Sequence, residues 1–157
     1  MPTERVAVIG TSLGAAAVVL GAGRVQFDAA ILESMYPSIS EAVADRLRIR
    51  FGITGAWLAP LLTLQLKPRL GIGVDQLRPV DRIHSLNSPL LLIHGTQDQH
   101  TLISEARTVF AMASNPKDFW EIEGAAHVDL HRCAGKKYER RIQEFLAAHL
   151  PYPNTTK

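Results

Sequence analysis

Cysteine is almost missing from this sequence. Cys133 is the only one, so no intramolecular disulfide can form and an oxidising compartment is not required. No pattern pairs it with a base, and it reads as a buried or half-buried thiol rather than a reactive one. An excess of either charge is also lacking. The net charge of +2 is too small to imply a nucleic-acid partner. Arg132, Lys136, Lys137, Arg140 and Arg141 lie close together, but Glu139 and Glu144 interrupt them, as on a solvated helix face. No leader pattern opens the chain: Glu4 and Arg5 break up the start and no cleavage site follows. The apolar stretch from Val6 to Gly23 has the length of a membrane span. Its Gly10, Ser12, Gly14, Gly21 and Gly23 fit a strand, a tight turn and a helix instead. A soluble, cytoplasmic protein without a membrane span is expected. Internal repeats are absent, as is low-complexity sequence apart from the tail Pro153–Lys157. With no metal-ligand spacing and no phosphate loop, neither metal nor cofactor is expected.

What is present suffices for one domain over residues 1–157, since 46% of the residues are hydrophobic and such a chain can bury a core. Four short apolar runs, Val6–Ile9, Ala29–Leu32, Leu90–His94 and Phe119–Ile122, read as buried parallel strands. Helical patterns follow them. Ala15–Leu20 is closed by Gly21 and Gly23. Leu102–Met112 takes Thr101 as its N-cap. Lys136–Leu150 carries Tyr138, Ile142, Phe145 and Leu146 on one face and stops at Pro151. The alternation predicts an α/β fold with a parallel half-sheet of about four strands. Residues 38–86 break the rhythm as a small helical insertion between strands two and three. There Ser38 and Glu41 suggest a capping box for a helix reaching Arg50. A second, apolar helix over Ala56–Leu66 contains Pro60 and ends near Pro68, and Gly71–Pro79 reads as loop.

Gly10-Thr11-Ser12-Leu13-Gly14 fits Gly-x-Ser-x-Gly, and it stands between a strand and an Ala-rich helix. That context is the one a nucleophile elbow needs. The turn forces the serine into a strained backbone, and the flanking glycines remove Cβ atoms that would clash. Ser12 Oγ then emerges at the carboxyl end of the sheet beside a helix N-terminus, where the Leu13 N–H can face a developing oxyanion. Serine needs a base, and the base an orienting carboxylate. Asp98 lies just past the third strand and His127 past the fourth, so three strand ends deliver the three groups in the order Ser, Asp, His. Other residues attract weaker readings. His94 reads as a packed strand residue, and His100 is the rival base. Asp129 and His131 belong to the loop surface with a possible tuning role. Glu33 and Tyr36 either line the site or simply end the second strand.

Together the Gly-x-Ser-x-Gly turn, the strand ending in His94-Gly95-Thr96-Gln97-Asp98 and the later Gly124-Ala125-Ala126-His127 resemble the α/β-hydrolases of the esterase, lipase and serine aminopeptidase branch. The resemblance covers only their C-terminal half, from the nucleophile strand onward. It implies Ser12 as nucleophile, Asp98 as acid, His127 as base and the Leu13 N–H as one oxyanion donor of a carboxylesterase-like serine hydrolase. The second oxyanion donor of such enzymes comes from a loop in their first half, which His94-Gly95 does not replace. Loss of one donor costs roughly 2.7–4 kcal/mol, a factor of ~10²–10³ in rate, so weak activity is expected.

A half-sheet also leaves Val6–Ile9 as an uncharged apolar edge, a template for another chain. A homodimer joined near the first strands, with Ser12 at the seam, is the expectation. Two alternatives stand beside the hydrolase: a catalytically inert fragment of the same fold, and a dinucleotide-binding module. The second rests on the Gly-rich turn and an acid, Glu33, some twenty residues on. Ser12 and Ala15 stand where its fingerprint requires glycine.

Overall fold

The computed structural model describes residues 5–127 and 130–150. Strands β1 (Ala7–Thr11), β2 (Ala29–Glu33), β3 (Leu90–Gly95) and β4 (Lys117–Ile122) form one sheet in the order β1-β2-β3-β4. Every neighbouring pair is parallel, with Ala7 opposite Ala29, Ile31 opposite Leu91 and Leu92 opposite Phe119.

The two central strands are buried along their whole length, which is why they read as unbroken apolar runs. Their side chains alternate between faces. Ala30, Leu32, Leu90 and Leu92 join Ala15, Val19, Val109 and Ala113 on one side. Ala29, Ile31, Leu91 and Ile93 meet Ile122, Leu130 and Phe145 on the other. Helices α1 (Leu13–Gly21) and α5 (Ile103–Met112) therefore cover the first face. Helices α6 (Leu130–Ala134) and α7 (Lys136–His149) cover the second, α7 through Tyr138, Ile142, Phe145 and Leu146. The residue expected to stop α7, Pro151, lies outside the described residues. No helix among the described residues is long and apolar enough to cross a membrane.

Between β2 and β3 the chain is helical, as expected, but is divided differently. Helix α2 (Ile39–Phe51) starts at Ser38, whose Oγ accepts the Glu41 N–H at 3.2 Å. The expected apolar helix over Ala56–Leu66 is instead a 3₁₀ segment, Ile53–Leu58, followed by α3 (Ala59–Thr63) and α4 (Leu66–Leu70). Pro60 has no N–H to continue a helix and stands in the first turn of a new one. Pro68 likewise falls in the first turn of α4, where no intrahelical donor is needed, so that helix runs on to Leu70. Gly71, at φ 70°, ends it. The stretch read as loop carries short 3₁₀ turns at Val74–Gln76 and Pro79–Asp81.

Trp57, Leu58, Leu61, Leu62 and Leu64, apolar residues most of which a folded insertion would be expected to pack, are all exposed, Trp57 to 83%. Short helices divided by prolines present no continuous stripe to bury. Cys133 is exposed as well, not buried, because it lies on the outer side of the short helix α6.

Candidate active site

Ser12, Asp98 and His127 each lie beyond the carboxyl end of a parallel strand. β1 passes into α1 through Ser12, whose backbone sits at φ 51° and ψ −111°. This left-handed conformation is costly for any residue with a Cβ. Gly10 makes the sharp turn possible: a Cβ there would lie 2.8 Å from the Ala15 nitrogen and 2.9 Å from the Gly14 carbonyl carbon. Gly14 differs from the expectation. Nothing among the described residues lies within 4 Å of a Cβ placed on it, so only the first glycine of the motif is required by close packing here. Leu13 opens α1, and its N–H belongs to the helix N-terminus, whose donors lack intrahelical partners.

His127 reaches Ser12 from the opposite edge of the sheet. Ser12 Oγ stands 2.9 Å from His127 Nε2, and His127 Nδ1 stands 2.7 Å from Asp98 Oδ2. The Nδ1–H donates to the carboxylate, which leaves Nε2 to accept from the hydroxyl. Asp98 is buried, and its other oxygen, Oδ1, accepts the N–H groups of His100 at 2.8 Å and Thr101 at 3.0 Å. Burial pushes the Asp98 carboxyl up, but the bonds from His127 and the two backbone N–H groups outweigh it, and the group is held below the usual carboxylate range. A buried, acceptor-saturated carboxylate of this kind fixes one ring orientation and one tautomer.

The capture of two backbone N–H groups by Asp98 also corrects an expectation. Thr101 is not the N-cap of α5; Leu102 is, and the Glu105 side chain reaches back to its N–H at 2.6 Å. The Thr101 N–H is already used in the turn closed by Asp98.

The other candidate histidines make contacts of their own. His94 is fully buried in β3 and donates from Nε2 to the Thr101 carbonyl at 2.9 Å, with Asp98 Oδ2 at 3.4 Å. Burial lowers its basicity. The His100 ring packs against that of His127 at 5.1 Å between centroids, while the contact with Ser12 Oγ belongs to His127. His131 is exposed, lies 3.2 Å from Glu139 and meets Tyr138 edge-on. Asp129 lies outside the described residues.

Glu33 and Tyr36 serve the scaffold. The Glu33 carboxylate is buried and accepts the hydroxyls of Thr11 at 2.8 Å and Tyr138 at 2.5 Å. Burial and this bond push the Tyr138 phenol up. Tyr36 packs against Ala16 and Ala42. Of the basic residues near the C-terminus, Arg141 pairs with Asp118, and Lys137 lies over the Trp120 ring at 5.7 Å.

Sequence reasoning gave no role to Gly95 or Ser34. A Cβ on Gly95 would lie 2.2 Å from the Ala125 carbonyl oxygen, so the loop to His127 passes directly over it. The His94-Gly95 pair at the strand end was the available signal. Ser34, with φ 47°, is buried and donates its hydroxyl to the His127 carbonyl at 2.6 Å; no motif marks it.

An esterase of Pyrococcus furiosus superposes with a TM-score of 0.69 at 21% identity, covering 93% of this chain and 54% of that one. The chain has the α/β-hydrolase fold. A monoacylglycerol lipase of Paleococcus ferrophilus superposes with a TM-score of 0.63 at 21% identity, over 93% of this chain and 69% of the lipase. In sequence, the uncharacterized Bacillus subtilis protein YqkD is 26% identical over 144 residues, which span 90% of this chain and 47% of YqkD. The human alpha/beta hydrolase domain-containing protein 17B is 30% identical over 76 residues, 48% of this chain and 26% of the relative. The chain thus spans about half the length of YqkD and of the Pyrococcus esterase. No protein-family model matches it.

Proposed function

We propose that this α/β-hydrolase is a serine hydrolase of the carboxylesterase kind, with Ser12 as nucleophile, His127 as general base and Asp98 as the acid that orients it. One observation carries the reading. Three groups from three separate loops form a single line, hydroxyl to imidazole at 2.9 Å and imidazole to carboxylate at 2.7 Å. Those separations suit proton transfer from a serine that is inert without a base.

In the reaction, Ser12 Oγ attacks an ester carbonyl as its proton passes to His127 Nε2. The C–O bond of the tetrahedral intermediate breaks, and the alcohol leaves with the proton from His127. Water, deprotonated by His127, then attacks the acyl-serine, and the acid departs as Ser12 regains its proton. The Leu13 N–H would stabilise the oxyanion. Residues 38–86 act in this reading as a cap, and the uncovered Trp57, Leu58, Leu61, Leu62 and Leu64 suit small or apolar acyl esters.

The same reading takes the chain as a homodimer. Only one side of β1 is paired among the described strands, and Val6 and Ile9 are half-exposed. A second copy adding its strand there would make a sheet of about eight strands with Ser12 near the seam. The dinucleotide alternative fares poorly against Glu33, whose carboxylate is occupied by Thr11 and Tyr138 and is not available to a ribose. The inert-fragment alternative predicts no dependence of hydrolysis on Ser12. Turnover of p-nitrophenyl butyrate, compared between the wild type and Ser12→Ala, decides: Ser12→Ala should lose at least a hundredfold, and equal rates would refute the serine mechanism.

A further inference from the structure

Strand β2 supplies no group to the proposed reaction, yet its rim touches both reacting residues. Ser12 follows β1 at one edge of the sheet and His127 follows β4 at the other. With strands about 4.8 Å apart, the histidine loop must cross roughly 14 Å of sheet rim. Two supports mark the crossing. Over β3, the loop lies against Gly95, and the Ala125 carbonyl accepts the Gln97 N–H at 3.0 Å. Over β2, the His127 carbonyl accepts the Ser34 hydroxyl at 2.6 Å.

Ser34 is itself rigidly held. Its N–H donates to the Ile93 carbonyl at 3.0 Å, and the Glu33 carbonyl just before it accepts the Ser12 N–H at 2.8 Å. The side chain is fully buried, and φ lies at 47°, in the region that glycine occupies most readily. A hydroxyl kept at such a position, bonded to the backbone of the base itself, points to a use beyond filling space.

We propose that Ser34 is a positioning residue that fixes the backbone of His127 and thereby sets the separation of its imidazole from Ser12. Asp98 orients the ring through Nδ1, and Ser34 anchors the main chain that carries it. The catalytic half of this inference rests on the serine-hydrolase reading; the positional half does not.

Ser34→Gly removes the donor while relieving the left-handed backbone, so loss of the hydrogen bond is not confounded by added strain. In the full chain with ¹⁵N-labelled histidine, the proton on His127 Nδ1 gives a downfield resonance. It should exchange with water at least tenfold faster in Ser34→Gly, with the rest of the amide spectrum preserved. The kcat on p-nitrophenyl butyrate should fall about tenfold, with KM changed less than twofold. An unchanged ring resonance and exchange rate would overturn the proposal. Should Ser34→Gly not fold, Ser34→Cys retains the volume with a weaker donor, and its ring resonance is read by the same criterion. If the wild type itself proves unreactive at Ser12, the hydrolase reading falls, while the ring-proton comparison still decides whether Ser34 holds the histidine.

Discussion

Gly10 and Gly14 flank the same serine but meet different surroundings, and this gives the motif a test at the level of single atoms. A methyl group at Gly10 would press into the backbone of α1 at 2.8 Å, whereas one at Gly14 meets open space. Overpacking against backbone costs typically 1–3 kcal/mol and here also displaces Ser12. Gly10→Ala should therefore lower Tm and slow modification of Ser12 at least tenfold, while Gly14→Ala should leave both nearly unchanged. The test is thermal unfolding together with the rate of inactivation by a serine-directed reagent. Gly95→Ala should resemble Gly10→Ala in effect but act on the other partner, because the added methyl strikes the Ala125 carbonyl and pushes the His127 loop off the rim. Its measurable mark would be loss of the His127 Nδ1 proton resonance. Of the candidate site, Ser12, Asp98 and His127 were legible because each follows the end of a strand, in the chain order of the fold that the sequence resembles. Ser34 was not, because a hydroxyl that meets a backbone carbonyl 93 residues away leaves no local pattern.

Between elements, the junction of α2 and α5 carries an electrostatic cost. Glu105 on α5 faces Asp45 and Glu41 of α2, with Arg46 and Arg48 also close to Asp45. Burial, together with these carboxylates and despite the Leu102 N–H, pushes Glu105 up to about 7. A carboxyl raised on folding stabilises the fold while it is protonated. That contribution is complete below the ordinary glutamate range and is lost as pH rises through about 7. Glu105→Gln should keep the acceptor for the Leu102 N–H and remove the charge. It should raise stability at pH 8 by about 1 kcal/mol, after allowance for solvent screening of a half-buried group. It should also flatten the decline of Tm between pH 5 and 8. A variant as pH-sensitive as the wild type would contradict this account.

The four strands and the long helices were legible from apolar runs and helical spacing. The division of the insertion was not, since Pro60 and Pro68 restart helices as readily as they stop them when they fall in a first turn. Nor could periodicity tell that Trp57 and its neighbours stay exposed, because a buried and an uncovered apolar helix read alike.

At the largest scale, the sheet is open along β1 among the described residues, and the chain spans about half of the Pyrococcus esterase whose fold it shares. The proposed dimer closes that edge with a second copy. Ile9, 52% exposed, lies on the uncovered strand, and Ile9→Lys places a charge where pairing would bury it. Sedimentation at micromolar concentration should give a dimer for the wild type and a monomer for Ile9→Lys; a wild-type monomer would end the proposal without touching the site.

The central claim is that Ser12 is an activated nucleophile, and covalent labelling with a fluorophosphonate reaches it without any choice of substrate. Mass mapping should place a single adduct on Ser12, with labelling abolished in Ser12→Ala and strongly slowed in both His127→Ala and Asp98→Asn. A folded wild type that takes no adduct, or takes one at another residue, would contradict the account.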